Sequence, residues 1–240
     1  MAWLQTADPY VAEIVAAAGF DSLVLDAQHG MGIGQEQTAS WLQAVSLHDT
    51  VPVVRVGWNE PAYIQWALDA GAYGVIVPLV NSLEEATKAG KATRYAPLGY
   101  RSVGPNRARF YGGADYEMKA NDEMVCLVMI ERSDTVARVE ELAQAPGIDG
   151  FYIGPADLAM SMGLPPRGYQ GESRHAEACQ QVLDAAKKHG LVCGIQTASP
   201  EEAIERYEQG FLYCSVLIAT AALGRTAAAA LKTVGDVLSR

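Results

Sequence analysis

The stretch Gly150-Phe151-Tyr152-Ile153-Gly154-Pro155-Ala156-Asp157-Leu158 decides the fold. Its apolar first half predicts a short buried strand, and the Gly-Pro pair stops that strand. An aspartate follows two residues later, and helix-forming residues follow the aspartate. A buried strand that ends in this way places an acid at its carboxyl end, where α/β proteins keep their functional sites. The stretch therefore predicts an α/β fold with Asp157 in its site.

The same alternation of strand and helix extends over the rest of the chain. Apolar runs predict eight strands, at residues 2–4, 22–27, 52–56, 74–79, 125–131, 150–154, 192–197 and 212–218. Amphipathic segments predict helices between them, at residues 9–18, 34–46, 61–70, 83–95, 135–143, 174–189, 200–209 and 220–238. Eight strands with a helix after each are typical of a (β/α)8 TIM barrel.

None of the connecting segments marks a domain boundary. No stretch has the composition of a linker, so residues 1–240 are predicted to form a single (β/α)8 barrel domain. One connection stands out, because residues 97–122 are rich in Gly, Pro and Arg and contain no apolar run. Irregular connections of this length are uncommon and usually functional, so this segment is predicted to be a functional loop.

Composition and charge exclude several classes of partner. The 240 residues are 50% hydrophobic and carry a net charge of -10, so neither nucleic acid nor an anionic membrane surface is an expected partner. No apolar run approaches the ~18 residues of a membrane span. The cysteines lack CxxC spacing and are predicted to be buried thiols in a reducing cytoplasm: Cys126, Cys179, Cys193 and Cys214.

Two carboxylates come at the ends of neighbouring predicted strands. Glu131 ends the fifth strand and Asp157 follows the sixth. Either acid alone is explained by a helix cap or a loop. As a pair at one edge of a barrel they would repel each other unless a cation lay between them, and carboxylate oxygens suit Mg²⁺ or Mn²⁺.

Other polar residues fall at the same predicted edge. His29 follows the second strand and serves either as a structural hydrogen-bonding group or as a base, with Asp26 or Asp69 as candidates to orient it. Arg55 interrupts an apolar strand, so it forms either a structural ion pair or a clamp for a carboxylate or a developing oxyanion. The backbone before Asp157 can offer N–H groups to a small anion.

Six segments together resemble the HpcH/HpaI family of metal-dependent (class II) pyruvate aldolases. The resemblance extends from about residue 3 to beyond residue 199, in order and at matching spacing. The segments are Leu25-Asp26-Ala27-Gln28-His29-Gly30, Val54-Arg55-Val56-Gly57-Trp58-Asn59, Leu68-Asp69-Ala70-Gly71-Ala72, Gly99-Tyr100-Arg101-Ser102-Val103-Gly104-Pro105, Met129-Ile130-Glu131 and Ile153-Gly154-Pro155-Ala156-Asp157-Leu158.

The resemblance implies a (β/α)8 barrel whose C-terminal helix is often exchanged between subunits, and a homohexamer built as a trimer of dimers. Glu131 and Asp157 match the family's metal ligands, for Mg²⁺ or Mn²⁺ first and for Co²⁺ or Zn²⁺ as alternatives. His29 matches the catalytic histidine, and Asp26 and Asp69 match acids that support it.

The resemblance also implies how a 2-keto acid would bind. Arg55 matches the arginine over the keto-acid oxygen, and the backbone of Gly154, Pro155, Ala156 and Asp157 matches the segment that receives the substrate carboxylate. Many members have other residues at the positions of Gln28 and Met129. A subgroup with Gln-His-Gly and Met-Ile-Glu is closer, and we associate it with pyruvate or hydroxypyruvate as nucleophile.

The implied activity is that of an aldolase, which forms the enolate of pyruvate or hydroxypyruvate and adds it reversibly to an aldehyde. Residues 97–122 and 164–173 are the expected determinants of the aldehyde. One alternative is an acyl-CoA lyase of the malyl-CoA/citryl lyase type, which would need a basic groove for the CoA phosphates. Its only candidates are Arg101, Arg107 and Arg109. The other alternative is a non-catalytic barrel that binds a metal-ketoacid complex, and such a protein needs no base at the position of His29.

Overall fold

The fold is an α/β arrangement around one curled, parallel sheet of nine strands. The computed structural model describes residues 1–238, and Ser239 and Arg240, the last two residues of the predicted domain, lie outside the described part. The strands are β1 Ala2–Leu4, β2 Ser22–Asp26, β3 Val51–Arg55, β4 Gly74–Val77, β5 Val125–Ile130, β6 Gly150–Ile153, β7 Val192–Ile195, β8 Tyr213–Cys214 and β9 Leu217–Ile218. Their order is β8-β7-β6-β5-β4-β3-β2-β1-β9. The first seven predicted strands are confirmed to within two residues at each end.

The prediction of one last strand at residues 212–218 is wrong in one respect, because these residues form two short strands. β8 pairs with β7, whereas β9 pairs with β1 at the opposite edge of the sheet. Ser215 lies between them, and its hydroxyl accepts a 2.7 Å hydrogen bond from the backbone N–H of Thr197. A side chain that bonds to nearby backbone competes with the regular ladder of a strand, which accounts for the break.

Helices cover the outer face of the sheet. They are α1 Pro9–Ala16, α2 Gln35–Val45, α3 Pro61–Asp69, α4 Leu83–Thr93, α5 Arg109–Gly112, α6 Tyr116–Glu123, α7 Ser133–Val136, α8 Val139–Leu142, α9 Pro155–Ser161, α10 Ser173–Lys188, α11 Pro200–Gln209 and α12 Ala219–Leu238. Residues 97–122 were predicted to be an irregular connection. That prediction is wrong in part, because the segment contains α5 and most of α6. Tyr116 and Ala120 lie one helical turn apart and are buried, and this short apolar face among polar residues gave little periodic signal.

The C-terminal helix α12 is the exception to this packing. None of its residues is buried, and its apolar side chains are exposed to solvent: Leu223, Leu231, Val234, Val237 and Leu238. A 20-residue helix with an exposed apolar face is an unusual element in a single chain.

The alternation of side chains along each strand decides which residues face the concave side of the sheet. The concave-face cluster consists of Met1, Trp3, Val24, Val53, Ile76, Leu127, Met129 and Tyr152. Successive side chains of a strand point to opposite faces, so residues two positions further on share a face. Two steps beyond Val24, Val53 and Met129 come Asp26, Arg55 and Glu131. Strand parity therefore brings these three polar residues to the concave face at the carboxyl ends.

The four cysteines are buried and free, as predicted. Burial raises the pKa of Cys126 to about 12 and the pKa values of Cys179 and Cys214 to about 11, and it also raises the pKa of Cys193. Among residues 1–238, no helix combines the length and the apolar character that crossing a membrane requires.

Candidate active site

A cavity of about 590 Å³ opens at the carboxyl ends of the strands. All five predicted substrate-binding residues line it: Arg55, Gly154, Pro155, Ala156 and Asp157. Met129 and Trp3 form part of its floor, and residues 166–170 from the connection between α9 and α10 form part of its wall. The cavity is therefore the candidate active site.

Asp26 and Arg55 form a buried, two-point ion pair beside this cavity. Arg55 donates from Nε to Oδ1 of Asp26 at 2.9 Å and from Nη2 to Oδ2 at 2.6 Å. The indole N–H of Trp3 also donates to Oδ2, at 3.1 Å. Burial opposes the charged carboxylate, but the hydrogen bonds and the charge of Arg55, with the N–H groups of His29 and Trp3, outweigh it and lower the pKa of Asp26.

The ion pair with Asp26 uses Nε and Nη2 of Arg55 and leaves Nη1 without a carboxylate partner. Within residues 1–238 the one hydrogen-bond acceptor of Nη1 of Arg55 is the thioether sulfur of Met129, at 4.0 Å, and thioether sulfur is a weak acceptor. The guanidinium also lies over the Trp3 ring, 4.8 Å from its centroid, which restricts its orientation. Arg55 thus presents a fixed, charged N–H donor to the cavity, which suits a carbonyl or enolate oxygen.

Glu131 lies one residue beyond β5 and is almost fully buried, with 3% of its surface exposed. Its Oε1 atom accepts a 2.7 Å hydrogen bond from the backbone N–H of Leu79, whereas Oε2 accepts none within residues 1–238. Burial raises the pKa of Glu131, the Leu79 N–H opposes that rise, and the charge of Asp157 adds to it. A Cβ on Gly154 would lie 2.9 Å from Oε2 of Glu131, so this oxygen lies against the turn that leads to Asp157.

These features fit a divalent cation. A buried carboxylate with a free oxygen, a second carboxylate beside it and a hard-oxygen donor set match the ligands that Mg²⁺ and Mn²⁺ take. Such ions bind through one or two carboxylates and complete their coordination with water and substrate oxygens. Glu131 and Asp157 are two such carboxylates, and the described residues hold no group of three or more His, Cys, Asp or Glu side chains around a possible metal position.

The turn from Gly154 to Asp157 begins α9 and offers backbone donors. The N–H of Gly154 is used by the carbonyl of Ile130, at 3.2 Å, and Pro155 has no N–H. The N–H groups of Ala156 and Asp157 have no acceptor within the described residues, so they are the donors that a substrate carboxylate would meet. His175 holds the turn from behind, with its Nε2 atom 2.9 Å from the carbonyl oxygen of Pro155.

His29 lies on the turn that follows β2, and its side chain is exposed. The backbone N–H of His29 donates to Oδ1 of Asp26 at 3.0 Å, and no hydrogen bond to the imidazole is formed within residues 1–238. Asp26 therefore fixes the backbone of His29 and not its ring. Gly30 closes this turn, where a side chain could not fit, because a Cβ would come within 2.4 Å of the carbonyl oxygen of Asp26.

Asp69 lies on a helix and not at the end of a strand. It is the last residue of α3, and since α3 returns from the carboxyl ends to the amino ends of the strands, Asp69 lies at the opposite end of the sheet from His29. Its carboxylate pairs with Arg101 at 2.7 Å. Within one chain Asp69 therefore lies away from His29, and its role as an acid that supports His29 stays a prediction.

The three arginines considered for a CoA-binding groove form hydrogen bonds and ion pairs with residues near Asp69 and on α6. Arg101 is buried against the rings of Tyr95 and Tyr116, besides its pair with Asp69. Arg107 donates to the carbonyl of Ala70 at 2.5 Å and to the hydroxyl of Tyr111, and Arg109 pairs with Glu117. None of the three arginines lines the cavity at the carboxyl ends.

Sequence reasoning missed two residues that hold the site. Trp3 was assigned only to a strand, yet it binds Asp26 and stacks on Tyr152, with ring centroids 5.6 Å apart. Leu79 was assigned to the end of an apolar strand, yet its N–H holds Glu131. Strand parity gave a usable signal for Trp3, but nothing in the sequence marked the backbone of Leu79.

A second cavity of about 560 Å³ lies elsewhere, between α2 and α3. Its lining is largely apolar and includes Trp58, Tyr63 and Trp66. It contains none of the predicted site residues.

Comparison with known proteins identifies the family. The family model described as HpcH/HpaI aldolase/citrate lyase matches residues 1–214. The chain belongs to this family. Among curated HpcH/HpaI relatives, a 4-hydroxy-2-oxo-heptane-1,7-dioate aldolase from Escherichia coli is 37% identical over 233 residues, covering 95% of this chain and 87% of the relative. A hydroxypyruvate/pyruvate aldolase from Sagittula stellata is 38% identical over 235 residues, covering 94% and 90%.

A solved HpcH/HpaI structure supports the fold as well. The crystal structure of a family member from Burkholderia cenocepacia J2315 superposes with a TM-score of 0.87 at 32% identity, covering 97% of this chain and 93% of that one. The predicted family and the prediction of an enzyme of the aldolase type are confirmed by these matches.

Proposed function

We propose that the protein is a divalent-metal-dependent aldolase that forms the enolate of pyruvate or hydroxypyruvate and adds it reversibly to an aldehyde. The observation that carries this proposal is the position of two carboxylates beside Arg55. Asp157 lines the cavity together with Arg55 and Gly154, and Oε2 of Glu131 lies against Gly154. The names of the relatives from Escherichia coli and Sagittula stellata agree with it.

Each part of the site has a role in this reaction. A cation held by Glu131 and Asp157 would supply Lewis-acid polarisation of the ketone, which makes the C3 proton of the keto acid more acidic. The N–H groups of Ala156 and Asp157 orient the substrate carboxylate. Nη1 of Arg55 donates to the oxygen that becomes negative in the enolate. His29, on the exposed turn after β2, accepts and returns the proton, directly or through water.

The proposal is tested by exchange of the pyruvate methyl protons with deuterium in D₂O, followed by NMR. Exchange is expected in the presence of Mg²⁺ or Mn²⁺ and is expected to stop when a chelator is added. Absence of chelator-sensitive exchange would refute the aldolase. His29→Ala should lose exchange while it keeps metal binding, and normal exchange in this variant would remove His29 from the role of base.

The metal site is tested separately by Mn²⁺ binding, measured by EPR of the free ion. Glu131→Gln and Asp157→Asn are each expected to weaken binding strongly, since each removes one charged oxygen ligand. Unchanged affinity in both variants would exclude this pair as the metal site. Competition with Mg²⁺, Co²⁺ and Zn²⁺ in the same assay identifies the preferred ion.

The proposal includes the architecture around the site. We infer that β8 and β9 together act as the eighth strand and close the sheet into a (β/α)8 barrel, which residues 1–240 form as one domain. The pairing of β8 with β7 and of β9 with β1 supports this closure. A cytoplasmic location is supported by the four free, buried thiols.

We further infer that α12 is exchanged between subunits of a homohexamer, a trimer of dimers. The exposed apolar side chains of α12 support this, because a helix exposed in one chain can be covered by another. Light scattering after size-exclusion chromatography tests it, and a monomer at micromolar concentration would refute it. Leu231→Asp is expected to weaken assembly, whereas Lys232→Ala on the same helix should not.

The acyl-CoA lyase is the weaker alternative. The three arginines that were its candidates for phosphate binding are engaged in contacts away from the cavity. The non-catalytic alternative is distinguished by the deuterium exchange assay, since a protein that only binds a keto acid has no reason to exchange its protons.

A further inference from the structure

The backbone that holds Glu131 has an uncommon conformation. Leu79, two residues beyond β4, has a φ of 56°, and it is the only non-glycine residue among residues 1–238 with a positive φ. A side chain in this left-handed region crowds its own backbone, which destabilises the conformation for any residue but glycine. Such a conformation persists only when surrounding contacts impose it, and it often occurs where a functional group must be aimed.

The conformation of Leu79 aims its N–H at a metal-ligand candidate. The N–H donates to Oε1 of Glu131 at 2.7 Å, a short hydrogen bond to a charged acceptor. This bond crosses from the end of β4 to the end of β5, so it fixes the carboxylate from the neighbouring strand. Oε2 is the oxygen of this carboxylate that accepts no hydrogen bond within residues 1–238.

Asn81 supplies the contacts that impose this conformation. Its side-chain Nδ2 donates to the carbonyl oxygen of Leu79 at 2.9 Å, which holds the Leu79–Val80 peptide on the far side of the Leu79 Cα from the N–H that binds Glu131. Its Oδ1 accepts from the hydroxyl of Thr135 at 2.9 Å, and Thr135 is fully buried. The backbone N–H of Asn81 donates to Glu85 at 2.6 Å. Both ends of the amide are therefore tied, one to Leu79 and one to the buried start of α7.

We propose that Asn81 is a positioning residue for Glu131, because it locks the left-handed backbone of Leu79 that orients the carboxylate for a divalent cation. This inference rests on the proposed metal site. It goes further, since it assigns a function to a side chain that does not line the active-site cavity and would not touch the cation.

The experiment measures Mn²⁺ affinity of the metal-free protein by EPR, without reference to catalysis. Asn81→Ala is expected to weaken Mn²⁺ binding by about 10-fold or more, as loss of groups that orient metal ligands usually does. Thr135→Val removes the hydroxyl while keeping the shape of the side chain, and it is expected to weaken binding in the same direction by a smaller factor. Thermal unfolding of each variant is measured in parallel.

Ser82→Ala is the matched control. Ser82 is the next residue, and its hydroxyl caps α4 by accepting from Glu85 N at 3.1 Å, so its loss destabilises the same loop without touching Leu79. Ser82→Ala is expected to lower the melting temperature and leave Mn²⁺ affinity unchanged. If it weakens Mn²⁺ binding as much as Asn81→Ala does, the role of Asn81 is only structural and the inference is wrong.

Failure of the inference and failure of the proposed function give different results. If Glu131→Gln binds Mn²⁺ as tightly as the wild type, the metal site itself is misassigned. If Glu131→Gln loses binding while Asn81→Ala and Thr135→Val both retain it, the metal site stands and the positioning role is refuted. Should Asn81→Ala fail to fold, Thr135→Val alone decides between these outcomes.

Discussion

Replacement of Asp26 by asparagine would leave the guanidinium of Arg55 buried without its counter-charge. The two side chains are 0% and 9% exposed and share two hydrogen bonds of 2.9 and 2.6 Å. Removal of one partner from a buried pair costs about 3–5 kcal/mol. In a domain of this size each kcal/mol corresponds to about 2–4 °C, so Asp26→Asn is expected to lower the melting temperature by roughly 6–20 °C.

The assay is thermal unfolding followed by circular dichroism, with Asp134→Asn as the matched control. Asp134 pairs with Arg132, but both side chains are more than half exposed, and solvent-exposed pairs contribute little. The double variant Asp26→Asn with Arg55→Met removes both charges and is expected to be more stable than Asp26→Asn alone. Equal melting temperatures for Asp26→Asn and Asp134→Asn would refute the reasoning.

The pH dependence of the same difference gives an independent check. The carboxyl of Asp26 has its ordinary pKa of 3.8 in the unfolded chain and a lower pKa in the folded protein. Its contribution to stability is therefore complete above the unfolded value and is lost as the pH falls through the folded value. The difference in urea midpoint between wild type and Asp26→Asn should stay constant from about pH 5 to pH 8 and shrink in more acidic solution. A difference that shrinks as the pH rises would contradict the assignment.

Three further variants test the surroundings of the site. Gly154→Ala would place a Cβ 2.9 Å from Oε2 of Glu131, so it is expected to weaken Mn²⁺ binding by about 10-fold or more. Gly224→Ala is the control: a Cβ added there would meet no neighbouring atom within 4 Å, so the Mn²⁺ affinity measured by EPR should stay unchanged. Gly30→Ala would bring a Cβ within 2.4 Å of a backbone carbonyl oxygen, so it is expected to distort the turn that carries His29, the proposed base. Deuterium exchange should then slow, with little change in Mn²⁺ affinity. Arg167→Gln should lower kcat/KM for carboxylate-bearing aldehydes more than for neutral ones, since Arg167 lines the cavity, and equal losses on both would exclude it as a selectivity determinant.

The sequence predicted most of the strands because their signals are local. Apolar runs with a clear end, such as Ala2–Leu4 and Gly150–Ile153, needed only the neighbouring residues to be recognised. The errors come from contacts that are distant in sequence. The break at Ser215 depends on a hydrogen bond to Thr197, and α6 depends on the burial of Tyr116 in the core, so neither was visible in the local pattern.

The residues of the candidate site also divide into those with local sequence signals and those that depend on distant contacts. Strand parity sufficed to bring Asp26, Arg55 and Glu131 to one face, since their positions two residues beyond apolar concave-face residues are set by the strand itself. The partner of Asp69 could not be predicted, because Arg101 reaches it from the long connection after α4. The role of Leu79 was equally hidden, since it depends on a backbone angle and not on the chemistry of its side chain.

The burial of all four cysteines has a practical consequence for experiments on this protein. Thiol reagents attack the thiolate, and raised pKa values together with burial leave little thiolate within their reach at neutral pH. Maleimides should therefore label the four native cysteines slowly while the protein stays folded. One cysteine introduced at an exposed position, such as residue 167 at the rim of the cavity, would then carry a fluorophore or spin label alone and follow that rim during turnover.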